Sequence, residues 1–178
     1  PLVVEQGPDS DAMNIFDAVT PDNVDKVMKD NKVYWNYPWE SEEIDFASGL
    51  IKKAYPTKDP KKRMACFMSH YLLWQRCIKD NVPIIIHEHD AIYYNDEPLP
   101  LEDFEKSKYN IIGLNNPRGA TRLSAVYDRV VQESIGKIVR APIIDGDMVP
   151  QGIAGNSSYY MNPRGAREMV SLVEKYGA

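Results

Sequence analysis

Three consecutive isoleucines, Ile84-Ile85-Ile86, run directly into His87-Glu88-His89-Asp90. A β-branched run beside a turn signal predicts a buried strand, and open α/β sheets gather ligands beyond the carboxyl ends of their strands. Strand alternation predicts Glu88 and Asp90 on one side and His87 and His89 on the other. Two carboxylates at a strand end form a hard, oxygen-rich site that suits Mg²⁺ or Mn²⁺ with substrate phosphates. Such an ion would neutralise a diphosphate leaving group. The alternatives are solvated polar residues at a strand end, or a transition-metal site on the His87-x-His89 pair.

Other residues offer chemistry less specifically. Ser69-His70 lies inside a helical pattern, where it either hydrogen-bonds ligand oxygens or is a buried pair satisfied by backbone. Asp145-Gly146-Asp147 offers a carboxylate base, or is simply a Gly-centred turn. Residues 152–158 are small and polar, as in close backbone approach to a ligand or in an ordinary loop. Arg63 could hold a diphosphate, whereas Lys61 and Lys62 read as surface charge.

The elements that must position these residues follow from periodicity. Met64, Phe67, Met68, Tyr71, Gln75 and Ile78 form one stripe of a helix running from about Arg63 to Asp80, and Cys66, Leu73 and Cys77 fall on its reverse side. Short strands are predicted at 2–4, at 110–114 (a second fully buried one) and at 157–161. Helices are predicted after Thr20-Pro21, over 41–53, over 122–135 and after Asn162-Pro163. Tyr34 to Trp39 reads as an ordered aromatic loop. Alternating helices and buried strands predict an α/β fold with a mostly parallel or mixed central sheet.

The bulk numbers narrow the class. The chain has 178 residues, 43% of them hydrophobic, enough for a single domain with a core. A net charge of −5 gives no global basic field for nucleic acid or anionic membrane. Two cysteines within one helical pattern make no disulfide framework, and no run approaches the roughly eighteen apolar residues of a membrane span. A cytoplasmic protein is the expectation, with both ends of the sequence looking as though flanking structure is absent.

The segment from Arg63 through Ser69-His70 to Trp74, followed by Ile84-Ile85-Ile86-His87-Glu88-His89-Asp90, resembles glycosyltransferase family 25. That family includes lipopolysaccharide-type and procollagen galactosyltransferases. Two further segments are similar to family elements, Ile15-Phe16-Asp17-Ala18-Val19 and the stretch from Ser158-Tyr159-Tyr160 to Gly165-Ala166. The resemblance spans about residues 13 to 176. It implies one GT-A-like, Rossmann-type three-layer domain over 1–178, a UDP-sugar donor, an Mn²⁺ (or Mg²⁺) ion and inversion at the anomeric carbon. Glu88 and Asp90 match the outer acids of the family's motif and become the implied metal ligands, while His89 stands where its central acid would be. Ser69 and His70 match the family's Ser-His. With Arg63 and Glu88 they form the expected donor-binding set, and Asp147 is the best visible candidate for the catalytic base. A glycan is the expected acceptor. The alternatives are hydroxymethylated bases of phage DNA, held by Arg118, Arg122, Arg129 and Arg140, and a non-catalytic nucleotide-sugar-binding module.

Overall fold

A computed structural model describes residues 3–6, 13–45, 50–54, 57–93, 97–119, 123–143 and 155–178. In chain order the elements are β1 (Val3–Gln6), β2 (Met13–Phe16), α1 (Val24–Asp30), β3 (Glu42–Asp45), β4 (Leu50–Lys53), α2 (Pro60–Asp80) and β5 (Ile84–Glu88). They continue with α3 (Leu101–Lys106), β6 (Ile111–Gly113), α4 (Ser124–Gln132), β7 (Ser158–Met161) and α5 (Pro163–Tyr176).

The expected mostly parallel or mixed central sheet is not what forms. The main sheet has five strands in the order β2-β1-β5-β7-β6, and every neighbouring pair in it is antiparallel. A separate hairpin pairs β3 with β4, also antiparallel. The aliphatic run was a correct signal of burial on both faces, but burial carries no information about strand direction. Ile84 and Ile86 pack in one core, and Ile85 packs in a second beneath Phe104 of α3. The chain does run β5–α3–β6 as a crossover between strands of the same sense. However, β7 inserts between them and reverses every contact.

Two other expectations change. Residues 41–53 were expected to be helical, and the described residues among them form the antiparallel pair β3 and β4 instead. Its register sets Glu42 opposite Lys53, Glu43 opposite Lys52 and Ile44 opposite Ile51, and a Lys53–Glu42 ion pair spans it at 2.9 Å. The mirrored order of acids and lysines serves cross-strand pairing as well as it would serve helical i,i+4 pairing. Strand β6 is half-buried at the sheet edge rather than fully buried.

Helix α2 is the organising element. Asp59 caps its start by accepting the Lys61 N–H, Pro60 takes the first helical position, and Asn81 closes the end in the left-handed region at φ 52°. Its core-facing residues, Met68, Tyr71, Leu73, Trp74 and Cys77 among them, pack with Ile84, Ile86, Tyr159, Met161 and α5. Asn162 caps α5 by accepting the Gly165 N–H at 2.9 Å. Gly165 is required there, because a Cβ would sit 2.7 Å from the Asn110 carbonyl oxygen. Among the described residues, no helix is long and apolar enough to cross a membrane.

Candidate functional site

Two cavities lie near the end of β5: His87 lines one, and His70, the partner of Glu88, lines the other. Alternation sends Glu88 to the α2 side and His87 to the α3 side, in register with the β7 segment that carries Tyr159 and Ser158.

On the α2 side, His70 is buried and both its ring nitrogens are engaged. Nδ1 lies 2.8 Å from the Tyr159 hydroxyl, and Nε2 lies 3.0 Å from Glu88 Oε1. Trp74 Nε1–H, which can only donate, gives its proton to the same Tyr159 oxygen at 2.8 Å. The ionised Glu88 carboxylate can only accept, so the His70 proton sits on Nε2 facing it, and Nδ1 accepts the Tyr159 hydroxyl hydrogen. The Cys66 thiol also donates to Glu88 Oε1, at 3.3 Å, and the Ser157 hydroxyl is a further donor to this carboxylate. The result is a directed chain from Trp74 through Tyr159 and His70 to a carboxylate held by three donors.

Electrostatics follow from that wiring. The His70 hydrogen bond, helped by Cys66 and Ser157, holds the Glu88 carboxyl below the usual carboxylate range against the opposing effect of burial. Burial, then the negative charge of Glu88, pushes the Cys66 thiol up to about 12. Burial likewise raises the Tyr159 phenol. Cys66 and His70 line a cleft of about 640 Å³ whose other walls are largely aromatic, with Trp35, Tyr37, Phe67 and Trp74. Arg63 lines the same cleft, its guanidinium 5.5 Å from the centre of the Tyr37 ring. Cys66, His70 and Glu88 form a cluster able to hold a metal ion, their donor atoms all within 4.8 Å of one another.

On the α3 side, His87 is buried between neutral partners. Ser158 Oγ is 2.8 Å from Nδ1, and the Tyr93 hydroxyl is 2.9 Å from Nε2. Burial lowers its basicity. These residues line a cavity of about 390 Å³ together with Asp90, Asn115 and Asn116. Among the described residues, Asn115 Nδ2 is buried there without a hydrogen-bond partner.

The expected site residues therefore divide. His70 and Glu88 are in direct contact, and Arg63 lines the cleft beside His70. Ser69 is fully buried and structural: its Oγ accepts the Val19 N–H at 2.9 Å and donates to the Ala65 carbonyl at 2.8 Å, tying α2 to the segment after β2. Asp90 does not join Glu88. It is exposed in the turn beyond the strand and lines the opposite cavity with His87. His89 is exposed in that same turn. Asp145, Gly146, Asp147 and Arg122 lie outside the described residues. Of the other arginines expected to face DNA, Arg118 is bound to Asp128 at 2.8 Å. Sequence reasoning missed Cys66, Trp74 and Tyr159 as members of the site. The i,i+4 spacing of Cys66 and His70, which puts both on one helix face, was a signal that could have found the first.

A family model described as glycosyltransferase family 25 (LPS biosynthesis protein) matches residues 9–177, and the chain belongs to that family. It is similar to the lipooligosaccharide biosynthesis protein lic2B of Haemophilus influenzae, with 42% identity over 50 residues. That match covers 25% of this chain and 19% of the relative, so it spans well under two thirds of the relative's length. No solved structure matches the chain.

Proposed function

We propose that the chain transfers a sugar from a UDP-sugar donor to the hydroxyl of a glycan acceptor, with inversion and metal assistance. The observation that carries this reading is the family match across nearly the whole chain. The LPS and lipooligosaccharide biosynthesis descriptions of the family and the relative support a glycan acceptor.

The acceptor oxygen attacks the anomeric carbon, the bond to the UDP oxygen breaks, and the acceptor proton passes to a carboxylate, for which Asp147 is the proposed base. Mn²⁺ or Mg²⁺ is commonly held by one or two carboxylates, with substrate phosphates and water completing its shell. Asp90, exposed beyond β5, fits that part, whereas Glu88 is committed to His70 and Cys66. Such an ion would offset charge on the departing diphosphate. In this reading His70 and Glu88 keep the wall of the α2-side cleft rigid.

Purified protein should hydrolyse or transfer from a UDP-sugar only with Mn²⁺ or Mg²⁺ present. Asp90→Asn should reduce that activity by at least about 100-fold while leaving the fold intact. Full activity in Asp90→Asn would remove Asp90 from the site. Metal-independent UDP binding without any turnover would replace the enzyme reading with a donor-binding module.

A further inference from the structure

We propose that Cys66, His70 and Glu88 form a binding site for a thiophilic divalent ion of the Zn²⁺ class, separate from the oxygen-seeking ion assigned to Asp90. The inference does not depend on the sugar-transfer reading. Cys66 and His70 stand one turn apart on α2, and Glu88 comes from β5, so two rigid elements fix the three ligands. Sγ lies 3.3 Å from Oε1 and Nε2 lies 3.0 Å from Oε1, with all three donor atoms within 4.8 Å. A tetrahedral ion with bonds of about 2.0–2.3 Å holds its ligand atoms roughly 3.3–3.8 Å apart. The Sγ–Oε1 and Nε2–Oε1 separations are already close to that spacing, and the Sγ–Nε2 separation lies within 4.8 Å.

The donor set decides which ion fits. One sulfur, one imidazole nitrogen and one carboxylate oxygen suit Zn²⁺ or Co²⁺, whereas Mg²⁺ and Mn²⁺ prefer all-oxygen shells. The surroundings are also those of a metal-binding histidine, because the second ring nitrogen is held by Tyr159, itself fixed by Trp74. The fourth position opens on the cleft, beside the Asn156 side chain 3.4 Å from Nε2. An amide turned about its axis presents its oxygen at that point.

Proton balance is simple. The thiol proton leaves to solvent and the thiolate bonds the ion. The imidazole proton moves from Nε2 to Nδ1, where the Tyr159 oxygen accepts it, and the tyrosine hydroxyl hydrogen turns toward the cleft. Without an ion, the same groups satisfy one another as the hydrogen-bonded chain described above.

The test uses the full chain, freed of metal and titrated with Co²⁺. Wild type should show thiolate-to-cobalt charge-transfer absorption at one equivalent, and Cys66→Ser should lose it. Zn²⁺ should displace the cobalt stoichiometrically, and Mn²⁺ should be at least about 100-fold less effective. A band retained in Cys66→Ser, or equal displacement by Mn²⁺, overturns the site. An independent readout needs no variant: Zn²⁺ should protect Cys66 from alkylation, mapped by peptide mass, with Mn²⁺ giving no protection. Absence of that protection also overturns the proposal.

Discussion

His70 on α2 and His87 on β5 lie on opposite sides of one sheet, and their surroundings differ in kind. His70 sits in a charge-assisted chain that ends on an ionised carboxylate, with both ring nitrogens committed and the tautomer set by the acceptor-only Glu88. His87 is equally buried, yet meets only hydroxyls, and its cavity contains an unpartnered amide on Asn115. One side of the sheet is a completed network. The other is a polar pocket in which the histidine meets only neutral partners. Alternation along a single strand is enough to create both.

The contrast is sharpest at Cys66, where burial and the adjacent Glu88 charge suppress the thiolate. At pH 8 its thiolate fraction should be about 10³-fold below that of an ordinary cysteine. Alkylation of Cys66 in native protein, compared with the urea-unfolded chain, should slow by that order, and Glu88→Gln should recover part of the loss. An alkylation rate equal in both states would dissolve the distinction between the two faces.

Next in size are the hydrogen-bond deletions. Tyr159→Phe strands both Trp74 Nε1–H and His70 Nδ1 in the interior, and each orphaned group costs about 1–3 kcal/mol. Urea unfolding should therefore show a total loss of about 2–6 kcal/mol for Tyr159→Phe. Ser158→Ala, which removes one neutral partner of His87, should cost about 1 kcal/mol. Equal losses for the two variants would mean that the relay has no more structural weight than the neutral pocket.

Acid titration should separate the faces by pH, with smaller amplitudes. His87 is harder to protonate when folded than the ordinary imidazole at 6.5, so the unfolded chain takes up the proton first. Its contribution is complete above pH 6.5 and is lost as pH falls below that value. The Glu88 carboxyl is also lowered, from an ordinary 4.5, so its contribution holds above pH 4.5 and fades only in stronger acid. Stability measured against pH should show two successive declines. His87→Gln should remove the upper one and Glu88→Gln the lower.

The sequence made the α2–β5 unit legible because two strong local signals meet there: a helical stripe over 64–78 and an aliphatic run over 84–86. Glu88 and His70 stood out by residue type, but their contact did not, since it depends on how far α2 turns before β5 begins. Asp90 was placed beside Glu88 by extending strand alternation past the last paired residue. The chain turns at His89 and Asp90, with the Ala91 N–H donating back to the Glu88 carbonyl, so alternation no longer applies. Strand direction was illegible for a different reason. The partners of β5 come from residues 3–6 and 158–161, and the hydrophobicity of Ile84-Ile85-Ile86 is the same whichever way they run. Tyr159 was visible as a strand residue, and its hydroxyl acquired a role only through pairing that sets it alongside Ile86.

The left-handed residue Asn81 ends α2 only three residues before β5 starts, and that brevity bears on how the gene can change. An insertion or deletion of one codon between positions 81 and 83 would slip the strand register by one. Glu88 would then face the α3 side, while a neighbouring histidine would arrive opposite His70. Length variation should be tolerated far better in surface segments distant from this joint than within it, and a library of single-residue indels across 78–92 would reveal the joint as a sharp minimum in surviving folded clones.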